Sequence, residues 1–107
     1  ALNGQRLLKP ETVALMTRTQ TGDIKTGFVD GMSWGLGFQV VKEPMGITSM
    51  LSPGTFGHGG AYATNMSIDP GRGLVTVWMV QHSGFPKDWA NGLGLFKAWA
   101  EQRFGSR

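Results

Sequence analysis

The stretch that organises this chain is Phe56–Gly73, FGHGGAYATNMSIDPGRG. Its first part surrounds His58 with glycines, which leave the backbone uncovered where another backbone or a ligand must approach closely. Ala61–Ile68 is predicted to extend as a strand, and Asp69–Gly73 supplies a proline and two glycines for a chain reversal. The following run Leu74–Gln81, LVTVWMVQ, is then the returning strand of a hairpin.

The turn also gives a register for this hairpin, in which Asp69 pairs with Gly73 and Thr64 lies opposite Trp78. One face then carries Tyr62, Met66, Ile68, Trp78 and His82, and the other carries Ala61, Ala63, Ser67, Val75 and Val77. Because the side chains of the second face are smaller, that face suits a closely packed helix.

The elements before the hairpin are a helix, a strand and a long connection. Leu8–Gln20 is predicted to be helical because Pro10 suits a first turn and apolar residues follow at helical spacing. Large residues alternate with small ones over Trp34–Val40, which is typical of a strand. Pro44–Thr55 has no clear period and is interpreted as a loop folded over the sheet.

A second helix is predicted at about Lys87–Phe104, with Lys97, Glu101 and Arg103 directed to water. The order of elements predicts an α+β fold, in which a mainly antiparallel sheet of about three strands is flanked by an N-terminal and a C-terminal helix. A sheet of three strands has an open edge. We therefore expect self-association or pairing with an upstream segment.

Composition limits the classes of function. The 107 residues fit one domain, and the net charge of +3 is dispersed, so nucleic acid is not an expected partner. No apolar run approaches the roughly 20 residues of a membrane helix, and no membrane partner is expected. The chain contains no cysteine and begins Ala-Leu-Asn-Gly without an export signal, so an upstream part is expected to be missing.

The chain has two histidines and no S-x-x-K motif. Gly31-Met32-Ser33-Trp34-Gly35 has the letters of G-x-S-x-G, but the serines of this chain are interpreted as turn and surface hydroxyls and not as a nucleophile. His58 and His82 could share a face, but no third ligand follows at a recognisable spacing, so we expect no metal and no cofactor. The run His58-Gly59-Gly60 could present a side chain and backbone N–H groups to a substrate, or it could be a β-bulge beside a buried histidine. Spacing alone does not choose between these.

Three segments carry a resemblance to a known family. They are LLKPETVALMTRTQ at residues 7–20, G-x-S-W-G-L-G-F at residues 31–38, and FGHGGAYATNMSIDPGRGLVTVWMVQ at residues 56–81. Together they resemble the C-terminal part of serine β-lactamase-related proteins, a family that includes class C β-lactamases, penicillin-binding carboxypeptidases and related esterases. The resemblance implies that residues 1–107 are a single partial domain of a β-lactamase-like fold.

The resemblance also implies an acyl-transfer enzyme that acts on a small ester or amide. In such proteins a serine of an S-x-x-K motif attacks the substrate with the help of a Y-x-N tyrosine, and both motifs lie upstream. The third motif of the family, K-[ST]-G, would fall on His58, Gly59 and Gly60, which would bind substrate, and Ala61 would donate its backbone N–H to the oxyanion hole. Histidine and glycine replace the lysine and the hydroxyl residue, which favours an ester or peptide-like substrate over a β-lactam.

On this interpretation the chain is inactive alone, and the parent protein is periplasmic or secreted if it follows its family. The alternative is a non-catalytic α+β module that binds a partner through an open sheet edge and exposed aromatic residues.

Overall fold

The structure is a computed structural model that describes residues 3–25, 30–83 and 89–105. Its elements are helix α1 (Pro10–Thr17), strands β1 (Met32–Trp34), β2 (Gln39–Val41), β3 (Phe56–Gly59), β4 (Asn65–Asp69) and β5 (Leu74–Trp78), and helix α2 (Trp89–Phe104), with a short 3₁₀ turn at Gly46–Thr48. All five strands form one antiparallel sheet in the order β1-β2-β3-β4-β5. The predicted α+β class is confirmed, but the sheet has five strands where about three were expected.

Part of the difference arises because Trp34–Val40 is not one strand. β1 ends at Trp34, the chain reverses, and Gln39 on β2 pairs back with Trp34. Gly35 lies against the end of α1, where a Cβ atom would overlap the Met16 carbonyl. The alternation of large residues with glycine looks like a strand in the sequence, but this glycine serves a close backbone approach.

The other additional strand is β3, which pairs with both β2 and β4. A Cβ at Gly57 would overlap the Met66 carbonyl, so glycine permits this close pairing. The predicted extension from Ala61 is wrong, because β4 begins only at Asn65. Between β3 and β4 the chain turns. The Ala63 N–H donates a hydrogen bond of 3.1 Å to the Gly60 carbonyl, and Ala63 has a positive φ of 68°.

The β4–β5 hairpin lies at the predicted place, but its register differs by one residue. Asp69 pairs with Leu74, and Asn65 pairs with Trp78. The connecting loop therefore has four residues, 70–73. A shift of one residue moves the side chains of a strand to the other face. Val75 and Val77 consequently share a face with Ile68 and Met66, and Ser67 shares the opposite face with Thr76.

The Ser67–Thr76 face is the one that α2 covers. Ser67, Asp69 and Thr76 are buried there, whereas Val75 and Val77 on the other face are exposed. The prediction of which face packs against a helix was therefore wrong for β5, because it named Val75 and Val77 in place of Thr76. The correct face combines small polar side chains from β4 and β5, which lets the helix approach closely.

The two helices lie close to their predicted ranges. α1 lies within Leu8–Gln20 and has Pro10 at its first position, but none of its residues is buried. α2 ends at Phe104 as predicted, while its predicted start, Lys87, lies outside the described residues. No helix in the described part of the chain combines the length and apolar character needed to cross a membrane.

The core of the described residues joins α2 to the sheet and its loops. Its buried apolar residues are Val40, Val41, Leu51, Ala63, Leu93 and Ala100. The prediction that Lys97 and Glu101 point to water is wrong, because they are only 5% and 2% exposed. Both lie on the side of α2 that meets the polar face of the sheet, whereas Arg103 is exposed as expected.

Candidate functional site

The predicted site lies where β3 leaves its neighbour β2. Gln39 pairs with Gly57 and Val40 pairs with Phe56, and the β2–β3 ladder has no further pairs. On its other side β3 remains paired with β4 as far as Gly59. The segment His58–Ala61, which we call the open edge, therefore has no strand partner on the β2 side within the described part of the chain.

The backbone of the open edge presents N–H groups away from β4. Gly60 points toward the β4 side, because its N–H donates to the Thr64 carbonyl at 3.0 Å and its carbonyl accepts from Ala63. Directions alternate along a strand, so the Gly59 N–H points to the open edge. The Ala61 N–H points there too, because it lies opposite the Gly60 carbonyl in the same trans peptide unit. Ala61 is exposed, and its N–H has no hydrogen-bond partner among the described residues. The structure therefore brings the four predicted site residues together on one accessible edge.

His58 stands on this edge with its side chain exposed. Its Nδ1–H donates to the Gly59 carbonyl, and its ring centroid lies 5.5 Å from that of Trp34. With the proton of the neutral ring on Nδ1, Nε2 keeps a lone pair that can accept a hydrogen bond from a ligand. The alternative of a β-bulge beside a buried histidine is wrong, since β3 and β4 pair one to one from Phe56 to Gly59 and His58 is exposed.

The second histidine has a different position. His82 follows β5, is exposed, and donates its backbone N–H to the Tyr62 carbonyl at 3.1 Å. Across residues 3–25, 30–83 and 89–105, no group of three or more histidine, cysteine, aspartate or glutamate residues could hold a metal ion.

A second polar region lies under α2, behind the open edge. Lys97 lines a cavity of about 30 Å³ between the helix and the sheet. Its ammonium group has no hydrogen-bond acceptor and no carboxylate partner among the described residues. Burial lowers the pKa of Lys97 from 10.5 to about 8, because the interior disfavours its charged form.

One turn further along α2, Glu101 is buried beside Asp69 of β4. Burial raises the pKa of Glu101 from 4.5 to about 7, the Asp69 carboxylate adds to this shift, and the Arg72 guanidinium opposes it. Arg72 Nε lies 3.4 Å from Glu101 Oε2. Burial acts to raise the pKa of Asp69 too, but hydrogen bonds from the N–H groups of Ser52 and Arg72 outweigh it and the pKa falls below its usual value.

The sequence interpretation did not include Trp34, Lys97 or Glu101 in any site. Trp34 lies in the segment G-x-S-W-G-L-G-F, but its contact with His58 depends on the β1–β2 hairpin. A signal for Lys97 did exist, because it follows the buried Leu93 by four positions, which is one turn of a helix. Glu101 follows Lys97 by the same spacing and continues the buried stripe.

Comparison with known proteins shows the family to which this chain is related. A model of the β-lactamase family matches residues 1–95. Two curated proteins of Mycobacterium tuberculosis, "Uncharacterized protein MT1414" from strain CDC 1551 / Oshkosh and "Protein Rv1367c" from strain ATCC 25618 / H37Rv, are each 32% identical over 91 residues. The match covers 76% of this chain but only 23% of each relative. The chain belongs to the β-lactamase family.

Proposed function

We propose that this chain is the C-terminal portion of a β-lactamase-related serine hydrolase that transfers the acyl group of a small ester or amide. In this proposal the open edge forms one wall of the active site. Ala61 donates its backbone N–H to the oxyanion hole, and His58, Gly59 and Gly60 bind substrate. The enzyme needs no cofactor, because serine acyl transfer requires only a nucleophile, a base and oxyanion donors.

The observation that carries the proposal is the outward-facing N–H of Ala61 on an edge that β2 leaves uncovered. An oxyanion hole needs a fixed donor that the protein itself does not use. Pairing of Gly59 with Asn65 fixes the strand, and the turn after Gly60 fixes the next residue. An extended substrate could also add to the same edge through main-chain hydrogen bonds.

His58 is assigned a binding role in place of the usual lysine of the family. Histidine lacks the fixed positive charge with which a lysine holds a carboxylate, so His58 favours an ester or a peptide-like substrate. Trp34 extends the wall beside it, since the two rings are in contact. Among the activities of the family, the histidine favours a carboxypeptidase or an esterase over a class C β-lactamase.

The nucleophile has to come from chain outside these residues. The test compares the purified 107-residue chain with a longer protein that carries it behind S-x-x-K and Y-x-N motifs. Both are incubated with a serine-reactive fluorophosphonate and with a small chromogenic ester. We expect a stoichiometric adduct and turnover in the longer protein alone. An adduct on any serine of the 107-residue chain, or an inert longer protein, contradicts the proposal.

A second candidate function is favoured by the other edge of the sheet. β5 has no second neighbour in the described part of the chain, and Val75 and Val77 beside that edge are 61% and 53% exposed. An edge of this kind can accept a strand from a partner, so a non-catalytic binding module is the alternative. A start codon immediately before Ala1 would favour the module, whereas upstream S-x-x-K and Y-x-N motifs in the same reading frame would favour the hydrolase.

A further inference from the structure

The cavity between α2 and the sheet has a polar wall built from three elements. Lys97 comes from α2, Gln39 from β2, and Asn65 and Ser67 from β4. We call this space the Lys97 cavity. Its volume of about 30 Å³ exceeds the roughly 10–15 Å³ that one water molecule requires, so a single small ion can be accommodated. We propose that the Lys97 cavity is a binding site for one small monovalent anion of halide size.

The first reason is the unpaired ammonium group of Lys97. The residue is 95% buried, and no described residue supplies an acceptor or a carboxylate to its Nζ. A buried charge without a partner is strongly unfavourable, and natural proteins pair such groups or let them bind an ion. An anion in the cavity would neutralise this charge within contact distance.

The second reason is the set of donors around the cavity. Ser67 donates its hydroxyl to Asn65 Oδ1 at 3.3 Å, which orients the amide and leaves Asn65 Nδ2 as an uncommitted donor. The Gln39 amide also has no hydrogen-bond partner among the described residues. Lys97, Asn65 and Gln39 therefore bring side chains with N–H groups to the cavity wall from α2, β4 and β2. Such a set matches an anion, which accepts hydrogen bonds and donates none.

The remaining polar wall residues do not compete for the ion. The hydroxyls of Thr48 and Thr55 donate to the carbonyls of Met45 and Ser52 at 2.9 and 2.7 Å. Neither aspartate nor glutamate lines the cavity.

Other charged groups near Lys97 leave it unneutralised. Glu101 lies one turn along α2 and is associated with Asp69 and Arg72, and its oxygens are more than 4.0 Å from Lys97 Nζ. From β3, His58 contributes to the cavity wall while its side chain remains exposed. An added anion therefore meets one cation and no buried carboxylate in the cavity wall.

The test is thermal unfolding of the purified chain in sodium bromide and in sodium gluconate at equal ionic strength and pH 7. Gluconate is too large for a cavity of this size and controls for general salt effects. We expect the melting temperature to rise saturably with bromide. Lys97→Met should raise the half-saturating bromide concentration at least about tenfold, because hydrogen bonds to charged groups are among the stronger ones.

Two further variants keep the test decisive. Arg103→Met removes an exposed cation from the same helix and should keep the bromide effect of the parent. Asn65→Asp preserves the shape of the side chain but introduces a negative charge, and should abolish the effect even if Lys97→Met does not fold. In a crystal grown with bromide, an anomalous peak should lie beside Lys97 Nζ. Equal melting curves in the two salts, or a bromide effect that survives Asn65→Asp, overturn the proposal.

Discussion

Two polar regions of the described residues, the open edge and the underside of α2, differ in their access to solvent. On the open edge, the N–H of Ala61 faces outward and can bind water or a ligand. Under α2, Lys97 and Glu101 carry polar groups into the interior. An exposed donor costs little stability, whereas a buried charge costs much more. Substitutions on the edge should therefore change binding, and substitutions under the helix should change stability.

The largest expected loss of stability comes from Gly57→Ala. This variant tests whether β3 pairs with β4 as closely as the structure shows. The new Cβ would overlap the backbone carbonyl of Met66, which cannot rotate away. We expect a loss of about 3 kcal/mol or more in the free energy of unfolding. The matched control is Gly59→Ala, whose Cβ would meet no atom closer than 3.6 Å. Urea unfolding measures both, and equal losses would show that β3 and β4 are not paired in this register.

Lys97→Met should stabilise the chain at pH 7 in gluconate. The pKa of Lys97 is about 8 in the fold and 10.5 as its ordinary value, so the fold disfavours the charged form. That difference corresponds to about 3 kcal/mol. The gain of the variant should be complete below pH 8, decline as the pH rises, and vanish above 10.5. A loss of stability at pH 7 beside an unchanged Arg103→Met control would show that Lys97 is paired.

Glu101→Gln has the opposite dependence on pH. Burial and Asp69 raise the pKa of Glu101 from 4.5 to about 7, so the fold favours the neutral carboxyl over the charged one. The contribution of Glu101 to stability is therefore fully present below pH 4.5 and is lost as the pH rises through 7. We expect parent and variant to be equally stable at pH 4, and the variant to gain on the order of 2–3 kcal/mol at pH 8. The exposed Glu43→Gln is the control. A stability difference that is the same at pH 4 and pH 8 would contradict this account.

The smallest effect on stability is expected on the uncovered face of β5. Val75→Thr and Val77→Thr replace exposed side chains and should change the free energy of unfolding by less than about 0.5 kcal/mol. If the isolated chain self-associates through this edge, the double variant should scatter less light at micromolar concentration. Scattering equal to that of a monomer in the parent chain would contradict the expected self-association.

The sequence predicted the class of fold and the end of α2 at Phe104 because glycine and proline mark the breaks between elements. The Asp69–Gly73 turn was located for the same reason. Its register was wrong by one residue because composition does not distinguish a loop of three residues from one of four. The strand predicted from Ala61 failed at Ala63, which adopts a left-handed conformation that alanine rarely takes and that no sequence pattern marks.

The candidate site was predicted more completely on the edge than under the helix. His58, Gly59 and Gly60 were predicted because a glycine-rich run next to a polar ring is a local signal, and Ala61 was added because the family resemblance implies an oxyanion donor there. Lys97 and Glu101 were assigned to water because charged residues are usually exposed. Only the three-dimensional packing of α2 against the small polar face of β4 and β5 shows that these two are buried.

The central claim is that the N–H of Ala61 stabilises the oxyanion, and it can be tested by deleting that single hydrogen. In the longer protein with its catalytic serine, Ala61 is replaced by its α-hydroxy analogue, lactic acid, through nonsense suppression. The same replacement at Ala98 of α2 serves as the control. We expect kcat for a small ester to fall on the order of 10²–10³-fold at position 61. The Ala98 control should stay near the parental rate. A position-61 variant that melts like the parent and keeps its kcat would contradict the assignment of the open edge to the active site.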